Sequence, residues 1–304
     1  MSAAAEARAV ARYTVEHETS YAYRVAVSQS WQLAHLTPPE LPWQKVLRHD
    51  LAIAPPPDER HERRDAFGNR VTHFGIHGPH PLLEVRMACE VEVGDRVDPR
   101  AVPGLAWEAV REALHDDPAQ DALRPARFVE PSTLVGWSDA AHAYAAATFA
   151  PGRDWLDATT ELMQRIYREF DFEPGTTTVT TSVDEVLAQR SGVCQDFAHV
   201  MIACLRSHGV PARYVSGYLQ TQPPPGQERL LGADVSHAWV AAYSPRHGWV
   251  EFDPTNDHLA DRRYITLASG ADFADVVPLR GVLLGGRDQK MRVAVSVIPR
   301  QGMR

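Results

Sequence analysis

Cysteine is scarce in this chain, with three residues in 304: Cys89, Cys194 and Cys204. Such an odd and sparse set does not build a disulfide framework, so an apolar core has to stabilise the fold. The chain also lacks the paired spacings CxxC and HExxH that hold zinc in many proteins. Each thiol is therefore expected to be free, and a reactive one suits a reducing compartment such as the cytoplasm.

Long apolar runs are also missing, since no stretch of about 18 apolar residues is present to span a bilayer. The first residues, MSAAAEARAV, are broken by charges and are unlike a secretory signal, which again favours the cytoplasm. The net charge is −8, and the sequence pI is about 5.9. Neither a nucleic acid nor a membrane is therefore an expected partner.

Hydrophobic residues make up 44% and charged residues 23% of the sequence, an ordinary globular composition for which 304 residues suit two domains. Residues 12–95 alternate between apolar and polar positions, with turn signals such as Gly68-Asn69, a pattern typical of an antiparallel β-sandwich or barrel-like domain. Residues 96–135 are predicted to form a connector. Residues 136–304 carry helical patterns followed by strands and are predicted to form a second domain that ends in a C-terminal strand. Within it, the proline-rich residues 222–232 predict a surface loop.

Cys194 stands at the start of a predicted amphipathic helix. Apolar residues recur at i, i+3, i+4, i+7 and i+8 along it, namely Phe197, Val200, Met201, Cys204 and Leu205. Gly192 permits a tight turn into the helix, with Ser191 or Asp196 as a cap, and His208-Gly209 ends it. Because a helix N-terminus presents unpaired N–H groups and a positive dipole end, this position favours a thiolate.

Two predicted strands follow, one carrying His237 and the other Asp253. A short loop at Ser244-Pro245-Arg246 joins them into an antiparallel hairpin. If Tyr243 faces His247, the ladder contains three opposed pairs: Ala241 with Trp249, Trp239 with Glu251, and His237 with Asp253. Opposed residues have Cβ atoms about 5 Å apart, which allows an imidazole–carboxylate hydrogen bond. A slip of one residue would turn the aspartate to the other face, so this prediction depends on the loop.

Together, these three side chains suit nucleophilic catalysis. A thiol becomes nucleophilic when an imidazole accepts its proton, and a carboxylate on the second ring nitrogen fixes the imidazole's tautomer and orientation. Cys194, His237 and Asp253 are thus the candidate nucleophile, base and orienting group. Glu251 shares the parity of Asp253 and is the second candidate for the carboxylate. The tryptophans of the two strands have the same parity and either shape the cleft or pack in the core.

The segments SGVCQDFAH, SHAWV and GWVEFDPTN resemble the motifs of the transglutaminase-like cysteine-enzyme superfamily, with Cys194, His237 and Asp253 at the matching positions. Upstream, YTVEHETSYAYRVAVSQSWQLAHLTPP and DAFGNRVTHF are similar to the N-terminal β-domain of bacterial members, and ADFADVVPLRGVLLGG is similar to their tail. The resemblance extends over most of the chain. It implies an α+β fold with a papain-like core, thiol acyl-transfer chemistry on a protein or peptide amide, and no cofactor.

The resemblance leaves the reaction open, because the superfamily includes protein crosslinkers, peptidases and other amide hydrolases. Hydrolysis is favoured here, since water is always present and the sequence contains no evident amine-binding subsite. A zinc site of Cys194, His199, His237 and Asp253 is an alternative from another class, and a non-catalytic binding module on the same fold is a third. The backbone N–H of Cys194 is a candidate oxyanion donor, whereas no residue is assigned as the second donor.

Overall fold

The computed structural model of the protein describes residues 10–116, 125–221, 234 and 236–300. The first described residues form five strands: β1 (Val10–Thr37), β2 (Gln44–Ala54), β3 (Glu59–Arg64), β4 (Arg70–Ile76) and β5 (His80–Gly94). They form an antiparallel sheet in the order β2-β5-β1-β4-β3. Because β1 is 28 residues long, it pairs with β5 through its first half and with β4 near its end.

The core of this first sheet follows from the alternation in the sequence. From Leu83 onward, every second residue of β5 is buried, namely Leu83, Val85, Met87, Cys89, Val91 and Val93. Successive side chains of a strand point to opposite faces, so one face of β5 is apolar and the other carries charges. The antiparallel sheet predicted for the N-terminal part of the chain is therefore confirmed, and Cys89 is one of its packing residues.

Helices and two short strands follow in the next part of the chain. They are α1 (Trp107–Asp116), α2 (Asp139–Ala146), α3 (Trp155–Glu169), β6 (Asp171–Phe172), α4 (Val183–Gln189), β7 (Ser191–Gly192) and α5 (Cys194–Ser207). The predicted start of a helix at Cys194 is confirmed. All residues from Asp196 to Arg206 are buried, not only the apolar stripe, because α2, α3 and α4 pack around α5 on the side away from the second sheet.

The second sheet is antiparallel and follows α5. Its strands are β8 (Ala212–Leu219), β9 (Ser236–Ser244), β10 (Gly248–Asp253), β11 (His258–Leu259) and β12 (Tyr264–Gly270). They lie in the order β11-β10-β9-β8-β12. The loop predicted at residues 222–232 falls between β8 and β9, outside the described residues.

The second sheet is sandwiched between α5 and the first sheet. Val240 and Phe252 pack in the core that surrounds α5, whereas Tyr218 and Leu267 pack in the core of the first sheet. A buried hydrogen bond of 2.8 Å joins the Tyr218 hydroxyl to Nδ1 of His17 on β1. Both faces of the second sheet are thus covered, which holds its strands rigidly.

The last strand, β13 (Leu279–Arg300), returns to the first sheet and pairs with β1 along the side opposite β4 and β5. The predicted C-terminal strand therefore lies in the first sheet and not beside β8–β12. The mixed fold class predicted from the sequence is confirmed, with a curled antiparallel sheet followed by a transglutaminase-like core. None of the helices in the described part of the chain has the length and apolar character needed to span a bilayer.

Candidate active site

Cys194 is placed at the first position of α5 by a cap that Asp196 supplies. The backbone N–H of Val193 donates to Asp196 Oδ2 at 2.8 Å, and the Thr177 hydroxyl donates to the same oxygen at 2.7 Å. A Cβ on Gly192 would lie 2.7 Å from that oxygen, so glycine is needed for the chain to pass the buried carboxylate. Of the two predicted caps, Asp196 therefore acts and Ser191 does not.

His237 and Asp253 are in contact, but the predicted register of their hairpin is wrong by two residues. The ladder sets Tyr243 opposite Trp249 and Val240 opposite Phe252, so its continuation brings Asp253 level with Trp239. The loop closes one residue later because Gly248, with φ of 67°, pairs with Ser244.

A shift of two residues preserves which face each side chain occupies. His237 and Asp253 are therefore diagonal neighbours on one face, a separation that longer side chains can bridge. Nε2 of His237 lies 2.7 Å from Oδ2 of Asp253. The predicted contact between His237 and Asp253 is therefore present, but the two residues are diagonal neighbours and not directly opposed as predicted.

Asp253 is fully buried and accepts hydrogen bonds from several donors besides the histidine. Oδ2 accepts from Asn256 Nδ2 at 2.7 Å and from the Tyr264 hydroxyl at 2.9 Å, and Oδ1 accepts from the Thr255 N–H at 2.9 Å. Burial by itself raises the pKa of Asp253, but the hydrogen bonds from His237, Asn256 and Tyr264 hold that pKa below its usual value. The carboxylate is thus kept charged although it is buried.

Asn256 and Tyr264 were missed in the sequence reasoning. Asn256 had a local signal, since it follows Asp253 by three residues in the turn DPTN. Tyr264 had none, because it comes from β12 at the opposite edge of the sheet. Burial and the neighbouring Asp253 raise the pKa of Tyr264 far above its usual value, so its hydroxyl remains a donor.

His237 also lies beside Cys194 in the lining of one cleft. Burial by itself would lower the pKa of His237, but the hydrogen bond with Asp253 and the interactions with the Asp253 and Cys194 side chains raise it to about 10. Because Nε2 is bonded to Asp253, Nδ1 is the ring nitrogen left for the thiol. The structure thus brings all three predicted side chains together, with His237 between the other two.

Glu251, the second candidate for the carboxylate, has a different partner. Its Oε2 accepts a hydrogen bond from Trp239 Nε1 at 3.1 Å and pairs with Arg96 Nη2 at 2.8 Å. Trp239 is completely buried, and its ring stacks on that of His237 with centroids 6.0 Å apart. Glu251 therefore anchors the tryptophan behind the histidine. Trp249 instead lies against Arg213 and is not part of the same cleft.

Cys194 and His237 line an open cleft of about 540 Å³. The other lining residues are Tyr167, Phe172, Leu219, Thr221, Asp234, Ser236, Thr255 and Asn256. Cys194 is partly exposed, whereas the side chain of Asp253 is inaccessible. A substrate can therefore reach the sulfur while the carboxylate is screened from water.

His199, which the sequence offered as a fourth ligand of a zinc site, does not reach this cleft. Its Nε2 accepts a hydrogen bond of 3.2 Å from the Phe273 N–H, and burial lowers its pKa to about 4. Within the described ranges, no group of three or more His, Cys, Asp or Glu side chains has a geometry that could hold a metal ion. The alternative zinc site of Cys194, His199, His237 and Asp253 thus lacks His199 as a ligand.

Iodoacetamide is expected to alkylate Cys194 at least about 100-fold faster than Cys89 or Cys204 at pH 7. Those two cysteines are buried, and burial raises the pKa of each to about 12, so almost no thiolate forms and no reagent reaches the sulfur. Mass-spectrometric peptide mapping after brief labelling measures the three rates. Faster labelling of either buried cysteine would remove Cys194 from the role of nucleophile.

Comparisons with known proteins agree with this architecture. Residues 13–92 match the bacterial transglutaminase-like N-terminal region, and residues 142–254 match the transglutaminase-like superfamily. An uncharacterized protein of Mycobacterium tuberculosis is 40% identical over 299 residues, which are 96% of this chain and 94% of that protein. The crystal structure of a candidate cysteine protease from Cytophaga hutchinsonii is similar with a TM-score of 0.73 and 21% identity, covering 97% of this chain and 93% of that one.

A shorter match is to a protein-glutamine gamma-glutamyltransferase of Pseudomonas aeruginosa, 36% identical over 105 residues, which are 33% of this chain and 16% of that protein. The fold, with a cysteine at a helix start beside a sheet, is that of cysteine-based enzymes of a broad type. This chain belongs to the transglutaminase-like superfamily and carries the N-terminal region of its bacterial members.

Proposed function

We propose that the protein is a thiol-dependent hydrolase of amide or peptide bonds, with Cys194 as nucleophile, His237 as general base and acid, and Asp253 as the orienting carboxylate. The observation that carries the proposal is the position of His237. One of its nitrogens lies 2.7 Å from Asp253, and the same residue lines the cleft together with Cys194, whose side chain contributes to raising its pKa. A base needs contact with both its proton donor and the group that orients it.

The first half of the reaction forms an acyl-enzyme. The raised pKa of His237 favours transfer of the thiol proton to its Nδ1, and Sγ of Cys194 then attacks the carbonyl carbon of the substrate as a thiolate. The carbonyl oxygen becomes an oxyanion, to which the backbone N–H of Cys194 donates because the first N–H groups of a helix have no partner within it. The carbon–nitrogen bond then breaks, and His237 returns the proton to the leaving amine.

The second half releases the acid product. Water gives a proton to His237 and attacks the thioester, the carbon–sulfur bond breaks, and the proton returns to the sulfur. Asp253 stays ionised throughout and stabilises the imidazolium that forms in each half. Its hydrogen bonds with Asn256 and Tyr264 support this role, since they hold the carboxylate in one position.

Transfer of the acyl group to an amine, which crosslinks proteins, is the second candidate. The match to the Pseudomonas glutamyltransferase favours it, although that match covers a third of this chain. Hydrolysis has the stronger support, because the open cleft admits water and the described lining offers no enclosed site for a second amine. A free reactive thiol is also consistent with a reducing compartment such as the cytoplasm.

The test is a substrate profile. Peptides with a glutamine side-chain amide, a backbone amide or an isopeptide bond are incubated with and without a primary amine, and released ammonia, cleavage products and amine adducts are quantified. We expect cleavage or ammonia release without amine, little adduct with it, and neither with the Cys194→Ala control. Dominant adduct formation would replace hydrolysis by transfer, and no turnover of any donor by a correctly folded enzyme would favour the binding-module alternative.

A further inference from the structure

Two aromatic side chains stand half exposed at the mouth of the cleft that contains Cys194. Tyr167 of α3 is 49% exposed and Phe172 of β6 is 57% exposed, and both belong to the lining of that cleft. Large aromatic rings contribute most when they are buried against another surface. Their exposure beside a nucleophile indicates a surface that a bound molecule covers.

Phe172 is held in a fixed position relative to the nucleophile. In the parallel pair formed by β6 and β7, Phe172 lies opposite Gly192, and the Glu173 N–H donates to the Gly192 carbonyl at 2.9 Å. The ring also contacts Phe197 of α5 edge-on, with centroids 6.4 Å apart. Because Gly192 precedes Cys194 by only two residues, the aromatic ring and the sulfur are parts of one rigid unit.

The remaining wall of the cleft has a different character. Apart from Leu219, the side chains that line the rest of the cleft with His237 are polar, namely Thr221, Asp234, Ser236, Thr255 and Asn256. The leaving amine has to lie on this side, because it receives its proton from His237. Tyr167 and Phe172, on α3 and β6, are the aromatic part of the lining that the second sheet does not supply, and they are therefore the candidates for the acyl side.

We propose that Tyr167 and Phe172 form the acyl-side subsite of the enzyme, and that this subsite takes an apolar or aromatic side chain of the substrate. The inference rests on the proposed function, since it assumes attack by Cys194. Apolar side chains gain from covering the two rings, whereas a carboxylate or ammonium group would lose water there and gain no ion pair from either ring. Small differences in apolar contact typically change selectivity by about 10- to 200-fold.

The experiment uses peptidyl chloromethyl ketones that differ only in the residue next to the reactive carbon: Phe, Leu, Gly or Asp. Sγ of Cys194 displaces chloride and forms a thioether, so the rate of alkylation reports fit in the acyl subsite without any turnover. We expect the Phe and Leu reagents to react at least about tenfold faster than the Gly reagent, and the Asp reagent to be the slowest. Iodoacetamide, which has no side chain, measures the reactivity of the thiol itself.

Phe172→Ala and Tyr167→Ala should each lower the Phe-to-Gly rate ratio by at least about threefold while leaving the iodoacetamide rate unchanged. Trp137→Ala is the matched control, because Trp137 is an exposed aromatic residue outside the cleft lining and its removal should leave the ratio intact. If Phe172→Ala also slows iodoacetamide, the ratio in Tyr167→Ala decides, since Tyr167 lies on a helix away from the cysteine turn.

A Phe-to-Gly ratio near one in the wild-type protein, or an unchanged ratio in both aromatic variants, would overturn the subsite and leave the proposed function in place. Failure of iodoacetamide to select Cys194 in the wild-type protein would instead overturn the proposed function. The two ideas therefore fail in different arms of the same experiment.

Discussion

Replacing Cys194 by alanine is expected to lower turnover of an amide substrate by roughly 10⁵-fold or more, because no other group can form the bond between sulfur and the acyl carbon. The free energy of unfolding should change by less than about 1 kcal/mol, since Cys194 is partly exposed and the replacement removes one atom. Turnover of a substrate found in the profile above and chemical denaturation measure the two quantities.

His237→Ala should be nearly as severe as Cys194→Ala, and the double variant should be little worse, because groups that act as a unit are not additive. Asp253→Asn should be milder and should also lower the pKa of His237 from about 10, since the neighbouring negative charge is removed. NMR titration of the imidazole measures that change. Wild-type turnover by His237→Ala, on a substrate that Cys194→Ala cannot process, would show that His237 is not the base.

Glu251→Gln is expected to have the opposite profile, with a large loss of stability and a small loss of activity. The carboxylate of Glu251 is buried with Arg96 and receives the Trp239 N–H, so removing its charge leaves a poorly compensated guanidinium in a dry setting. Breaking a buried pair by removing one partner costs about 3 kcal/mol. Turnover well below the unfolding temperature should fall by less than about tenfold, because Glu251 reaches His237 only through Trp239.

Chemical denaturation and turnover of Glu251→Gln and Asp253→Asn, measured side by side, separate the two carboxylates. Glu16→Gln is the control, since Glu16 is exposed on β1 and should change the free energy of unfolding by less than about 0.5 kcal/mol. A stable Glu251→Gln variant without activity, alongside an active Asp253→Asn variant, would assign the orienting role to Glu251.

The hairpin illustrates how far local patterns reach. Period-two alternation correctly predicts that His237 and Asp253 share a face, because every register of even offset preserves parity. Alternation cannot select among those registers. The prediction paired Tyr243 with His247, whereas the structure closes the loop by pairing Ser244 with Gly248, which shifts the ladder by two residues. The positive φ of Gly248 fits the observed closure of the loop, but the sequence shows only that a glycine is present and not which φ it adopts.

Asn256 and Tyr264, which both donate hydrogen bonds to Asp253, also differ in how far the sequence could predict them. Asn256 lies within a turn whose residues interact locally, so a carboxylate followed by an amide three residues later was a usable signal. Tyr264 donates to Asp253 from another strand of the second sheet. Similarly, β13 follows the second sheet in the sequence but pairs with β1 of the first sheet. Contacts of this kind have no period in the sequence, because they depend on which strands become neighbours.

The sequence by itself determined that a helix begins at Cys194, that the first third of the chain forms strands, and that His237 and Asp253 lie on the same face of a hairpin. Each of these follows from periodicity and turn chemistry within a short stretch of chain. Only the tertiary structure decided that Glu251 accepts a hydrogen bond from Trp239 and does not orient His237. It also decided that Tyr264 donates to Asp253, and that Tyr167 and Phe172 line the same cleft. Those arrangements arise where separate elements pack together, and a side chain's partner there is set by burial and by the need to satisfy every polar group in a dry interior.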